Sequence, residues 1–202
     1  MCKRVLSVVF GANGSGKSSL ARSVMGPDIL ENKSILGTYS VCENIIHARE
    51  GAVRKPLVAI GKYSNECGGV DTVRPLQNAY RMGFEAVERF EGMNIFMESL
   101  LLSDLFSTPL KFYLSMKYDM GLDVEICLLY VSKQEALRRV FSRNGGVAIK
   151  PDCVCRKVER SVRVFEKLKN LGEFRCFAID TVAKSKDQVF SKFVEMSNLY
   201  EK

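Results

Sequence analysis

The stretch Val5-Leu6-Ser7-Val8-Val9-Phe10-Gly11-Ala12-Asn13-Gly14-Ser15-Gly16-Lys17-Ser18-Ser19 decides the fold. Its first six residues form a short apolar run, typical of a strand buried on both faces of a parallel sheet. Gly11 to Gly16 then form a loop, and a helical run from Lys17 to about Met25 stops at Gly26-Pro27. The spacing Gly-x-x-x-x-Gly-Lys-Ser has a physical cause. Its glycines let the backbone curl so that successive N–H groups point inward at phosphate oxygens. The helix that opens at Lys17 adds its positive dipole end. The lysine reaches the β- and γ-phosphates, and the Ser18 hydroxyl is placed to ligate Mg²⁺. The stretch therefore implies ATP with Mg²⁺, held along Gly11, Ala12, Asn13, Gly14, Ser15, Gly16, Lys17, Ser18 and Ser19.

Outward from this loop, strands alternate with helices. Strands are expected at Ile35–Cys42, Leu57–Ile60, Ile95–Met97 (running up to Glu98), Val124–Val131 and Phe174–Ile179. A polar stretch around Arg49-Glu50-Gly51 reads as a turn. Helices are expected from Pro75, in the first turn, to about Phe90, within 104–119 around Pro109, over 133–143, from Pro151 to about Leu171, and over 185–199. Asp71 or Thr72 reads as the N-cap of the first of these. The pattern predicts a three-layer α/β/α fold with a mainly parallel sheet, in one domain spanning 1–202.

Two acids stand where the chemistry needs them. Glu98 closes an apolar strand at its carboxyl end, where open α/β sheets bind ligands. It is a candidate Mg²⁺ ligand or activator of the acceptor, against the plainer role of a surface carboxylate. Asp71 follows the strand-to-loop segment Gly61-Lys62-Tyr63-Ser64-Asn65-Glu66-Cys67-Gly68-Gly69-Val70. It is a candidate to take the proton from an attacking hydroxyl, a role compatible with capping a helix. Tyr63 is weighed between stacking on a base and packing in the core, and Lys62 between facing an acceptor and facing solvent.

The chain has 202 residues, 30 Lys and Arg, 23 Asp and Glu, and a net charge of +7. Residues 133–169 hold eleven cations and four acids, which accounts for the whole excess. Such a segment implies an anionic partner, nucleotide phosphates or a nucleic-acid backbone. Pairs such as Glu159–Arg163 explain part of it as a solvated helix face. Arg138, Arg139 and Arg143, ahead of Asn144-Gly145-Gly146, are candidates to meet charge on a transferring phosphate as part of a lid over about 138–158. The seven scattered cysteines read as reduced thiols, and a single histidine (His47) makes a structural zinc site improbable. No run of 18 apolar residues exists, so no membrane span is expected. A cleaved leader would destroy the first strand, so a cytoplasmic location is expected, the host's cytoplasm if the source is viral.

The order of loop, acceptor region, strand ending in Glu98, arginine-bearing lid and last strand resembles P-loop kinases of the nucleoside monophosphate (thymidylate) kinase group. That resemblance implies a five-stranded parallel core ordered 2-3-1-4-5. It also implies Lys17 and Ser18 as phosphate and Mg²⁺ ligands, Arg138, Arg139 or Arg143 as lid groups, and Thr181 near the donor base. Glu98-Ser99-Leu100 stands where thymidylate kinases carry an Asp-Arg signature. The segment Gly61-Lys62-Tyr63 to Cys67-Gly68-Gly69-Val70-Asp71 is more similar to phage kinases that phosphorylate 5-hydroxymethyluracil in DNA. The implied partner is then DNA carrying a modified pyrimidine, with the base exposed or flipped. The alternatives are a free deoxynucleotide, or a P-loop ATPase with no small acceptor.

Overall fold

The computed structural model describes residues 3–47, 51–63, 69–98, 107–147 and 150–201. The decisive stretch forms strand β1 (Val5–Phe10), buried along its whole length, and helix α1 (Lys17–Met25). An antiparallel pair follows, β2 (Leu30–Lys33) and β3 (Thr38–Cys42), then the two-residue strands β4 (Ile46–His47) and β5 (Val53–Arg54), and β6 (Leu57–Ile60). A 3₁₀ turn at Val70–Thr72 leads to α2 (Leu76–Arg89) and β7 (Asn94–Glu98). The rest of the described chain runs α3 (Ser107–Tyr118), β8 (Asp123–Tyr130), α4 (Lys133–Arg143), α5 (Pro151–Asn170), β9 (Arg175–Asp180), α6 (Lys186–Met196) and β10 (Tyr200–Glu201).

Seven of these strands make one sheet, ordered β2-β3-β6-β7-β1-β8-β9. The five from β6 to β9 are mutually parallel. Taken in chain order they stand as 2-3-1-4-5, the arrangement the resemblance implies. The sheet is wider than expected because β2 and β3 add an antiparallel edge beside β6. The expected strand from Ile35 is therefore shorter. It begins at Thr38, because Ser34 and Gly37 close a turn through mutual backbone hydrogen bonds of 2.8 and 3.4 Å. Ile35 and Leu36 lie in that turn, and their apolar character hides it from a periodicity reading. A separate small sheet, β10-β5-β4, includes the last described residues.

The two faces of the main sheet carry separate apolar clusters. One packs Leu6, Val8, Phe10, Ile95 and Met97 against α2, α3 and α5. The other packs Val9, Phe96, Cys127 and Leu129 against α1 and α6. These are the two inter-layer cores of a three-layer fold, and burial there supplies its main driving force. Arg4 adds a polar tie. Its guanidinium donates to the carbonyls of Met93, Val87 and Phe90, at 2.8, 2.8 and 3.0 Å, and so holds the chain leaving α2. Neither Asp71 nor Thr72 caps α2; Pro75 occupies the cap position, one step outside the helix where it was expected inside. Thr72 accepts from the Lys62 N–H and donates to the Gly69 carbonyl, which ties Lys62 to Gly69 instead. Residues 48–50 of the expected polar turn lie outside the described residues, and β4 and β5 pair antiparallel on either side of it. No helix among the described residues is long and apolar enough to cross a membrane.

Candidate functional site

β1 ends at the carboxyl edge of the sheet between β7 and β8, where the parallel order reverses direction and loops must part. The chain from Gly11 to Gly16 fills that gap. A Cβ on Gly11 would sit 2.5 Å from the Leu129 carbonyl oxygen, so only glycine fits so close to β8. Gly16, in the left-handed region at φ 90°, opens α1 with no side-chain cap, leaving its first N–H groups for an anion.

A cleft of about 700 Å³ lies over this loop. Asn13, Gly14, Ser15, Gly16, Lys17, Ser18 and Ser19 line it, together with Asp71, Glu98, Arg138, Arg139, Arg143 and Thr181. Residues as distant in the sequence as Asn13 and Thr181 thus line one space. Gly11 and Ala12 lie beneath the cleft. Their carbonyls accept hydrogen bonds from Lys17 Nζ at 3.0 and 3.1 Å. Lys17 is buried, and burial lowers its pKa while Glu98 and Asp71 raise it.

Glu98 is also buried, and its pKa is pushed up to about 7. Burial is the largest cause; Lys17 opposes it and Asp71 adds to it. One carboxylate oxygen stands 3.5 Å from Ser18 Oγ, at the outer limit of a hydrogen bond. The other, Oε2, is buried with no hydrogen-bond partner among the described residues. A buried acceptor without a donor is costly, and beside a serine hydroxyl on a phosphate loop it suits a hard cation. Ser18 and Glu98 together fit Mg²⁺, which takes one or two protein oxygens and completes its shell from phosphate and water. Tyr63 is buried in the apolar cluster with α1, so it packs rather than stacks on an open base site. Lys62 pairs with Glu31 at 3.7 Å.

The arginines differ in kind. Arg139 donates to Glu135 at 2.7 Å, to the Gly14 carbonyl at 3.1 Å and to the Thr181 carbonyl and hydroxyl at 2.6 and 3.2 Å. It ties the phosphate loop to the segment after β9. Arg138 forks onto Glu135 with two bonds of 2.7 Å. These two arginines hold the Glu135 carboxyl down at about 2. Arg143 lines the cleft with no hydrogen bond or ion pair among the described residues. The helices of the expected lid, α4 and α5, join the loop through a small apolar cluster of Ala12, Val131, Ala136, Val154 and Val158. Thr72, read above only as a helix cap, also lines the cleft, as do Arg22 and the run Lys184-Ser185-Lys186, which carry no local signal of it. The last follows β9 at the carboxyl edge, a position that strand order alone makes a ligand-binding one.

Fold and site together define a P-loop nucleotide-binding protein of the α/β class. No protein-family model matches the chain. It is 28% identical over 103 residues to a 5-hmdU DNA kinase of Pseudomonas phage PaMx11. That match spans 51% of this chain and 52% of the relative, about half of each. Two solved structures of a deoxyadenosine kinase from M. mycoides, with bound dATP and with bound dCTP, align over 94% of this chain and 97% of theirs. Their identities are 13% and 15%, and their TM-scores 0.44 and 0.40.

Proposed function

We propose that this protein is an ATP-dependent kinase whose acceptor is the hydroxymethyl group of 5-hydroxymethyluracil in DNA. The observation that carries the reading is the meeting, in one cleft, of buried Lys17 on the phosphate loop with Glu98 at the end of β7 and Asp71 in the 3₁₀ turn. A nucleotide-driven switch needs the loop and a metal ligand; a second carboxylate in the same cleft suits a hydroxyl acceptor.

In this reading the acceptor oxygen bonds to the γ-phosphorus as the bond to the bridging β,γ-oxygen breaks, and ADP leaves. Asp71 takes the proton from the acceptor hydroxyl. Lys17 and Arg143 meet charge on the phosphate oxygens. Arg139 acts from outside the reacting atoms, holding the loop and Thr181 in place. Ser18 and Glu98 would hold Mg²⁺, which would neutralise charge on the phosphates. The half-length similarity to a phage 5-hmdU DNA kinase supports the choice of acceptor, as does the +7 charge.

The test is transfer of label from γ-labelled ATP. Duplex DNA with and without 5-hydroxymethyluracil, a panel of deoxynucleoside monophosphates, and a no-acceptor control are run side by side. Label is expected in the modified DNA alone. Label confined to monophosphates would replace the acceptor by a free nucleotide; hydrolysis indifferent to every acceptor would make the protein an ATPase.

A further inference from the structure

The β2–β3 turn, Lys33-Ser34-Ile35-Leu36-Gly37, is not part of the cleft, yet the topology carries it to the same edge of the sheet. β6 ends at that edge, and β3 is antiparallel to it, with Tyr39 opposite Ile60. The start of β3 therefore lies beside the end of β6, and the Gly61 N–H donates to the Thr38 carbonyl at 2.9 Å. Glu98, at the end of β7, is two strand spacings from β3, about 10 Å. Gly37 fixes the turn against the acceptor segment: a Cβ there would lie 2.9 Å from Met82 Sδ and 3.4 Å from Val73 Cγ2.

The turn is closed by its own hydrogen bonds, and its tip is apolar. Ser34 and Gly37 exchange backbone hydrogen bonds, and Ser34 Oγ accepts from the Leu36 N–H at 3.1 Å. Leu36 packs onto the core, but Ile35 is fully exposed, at 101%. Two-residue hairpin turns favour Gly, Asn or Asp at φ > 0, and neither Ile35 nor Leu36 has positive φ. A β-branched apolar residue held out in water at such a tip does nothing for stability. The tip carries Lys33 and no acid, and exposed Arg74 follows Val73 on the segment it touches.

We infer that the β2–β3 turn is a wedge for duplex DNA, with Ile35 entering the base stack beside the target while its base occupies the acceptor side of the cleft. This rests on the DNA reading above. A base within a duplex cannot reach a carboxylate at the sheet edge unless it leaves the stack, and apolar side chains inserted at base steps offset the unstacking. The start of β3 stands about 10 Å from β7 across two strand spacings, so the turn and the acceptor side of the cleft share one edge of the sheet.

The test compares the wild type with Ile35→Ala and Ile35→Asp on the same 5-hydroxymethyluracil oligonucleotide, single-stranded and duplex. Ile35→Ala is expected to lower kcat/KM on the duplex at least tenfold, and Ile35→Asp further, with single-strand turnover and the KM for ATP within twofold. In a binding readout, 2-aminopurine beside the target base should brighten with wild type on duplex and not with Ile35→Ala. Equal duplex turnover and equal fluorescence for wild type and variants would overturn the wedge alone. A parallel loss on both strands' forms would also overturn it, because Ile35 would then serve the pocket. Failure of the wild type to label either DNA would sink the acceptor reading itself.

Discussion

Gly69 is pressed against Glu98: a Cβ on Gly69 would stand 2.4 Å from both the Glu98 carbonyl oxygen and its Oε2, with Tyr63 Oη at 3.0 Å. Gly61 approaches the same residue, its own Cβ position falling 2.1 Å from the Gly69 carbonyl oxygen. Gly69 also lies at φ 79°, which side chains disfavour. Gly69→Ala must therefore move Glu98 or the segment that carries Asp71. It is expected to lower kcat/KM about a hundredfold while destabilising the fold by about 1–3 kcal/mol. Steady-state kinetics and urea denaturation read the two effects separately. A variant with wild-type kinetics would show that the segment does not set the position of Glu98.

Glu98 should make the metal-free protein less stable as pH rises. Its folded pKa of about 7 lies above the ordinary 4.5, so the folded state holds the extra proton between those values. Its contribution is then fully present below pH 4.5 and lost as pH climbs through about 7, worth up to about 3 kcal/mol. In chelator, Glu98→Gln is expected to be more stable than wild type at pH 8 and nearly equal to it at pH 4.5. Denaturant midpoints across that range check this. A difference that does not vary with pH would remove Glu98 as its source.

Lys17→Ala is expected to reduce phosphate transfer by at least about a hundredfold to a thousandfold. It also frees the carbonyls of Gly11 and Ala12 and leaves Glu98 with less opposing charge. Isothermal titration with ATP and a single-turnover assay separate lost binding from lost chemistry. Retained turnover would refute the role of the loop.

The two cleft arginines should part company. Arg139→Ala loses its ties to Gly14 and Thr181 and is expected to cost about 1–3 kcal/mol, with ATP binding weakened about tenfold. Arg143→Ala touches no such tie. It is expected to lower kcat about tenfold or more with stability within about 0.5 kcal/mol of wild type. Thermal melts beside kinetics decide. Equal destabilisation by both would mean that Arg143 has a structural role too.

Much of this was legible in the chain because one physical demand wrote it. Phosphate binding needs glycine, lysine and a hydroxyl at fixed spacing between a buried strand and a helix, and Val5 to Ser19 shows all of them. Glu98 was legible as an acid closing an apolar strand. The division of labour among arginines was not: Arg138, Arg139 and Arg143 look alike in sequence. Only the approach of Glu135, Gly14 and Thr181 separates the clasp from the open group. The edge pair β2–β3 was lost because Ile35-Leu36 resembles a strand, and turn geometry is a matter of backbone closure. Lys184-Ser185-Lys186 enters the cleft through strand order, a long-range fact with no local signature.

Ala12 belongs both to the phosphate loop and to the apolar cluster with Ala136, Val154 and Val158. The loop's variable positions are thus not all equally variable. A larger residue at 12 must be matched by a smaller one on α4 or α5, so relatives should show these sites changing in step. Grafting the loop alone into another scaffold should carry its hydrogen-bonding groups but lose their alignment.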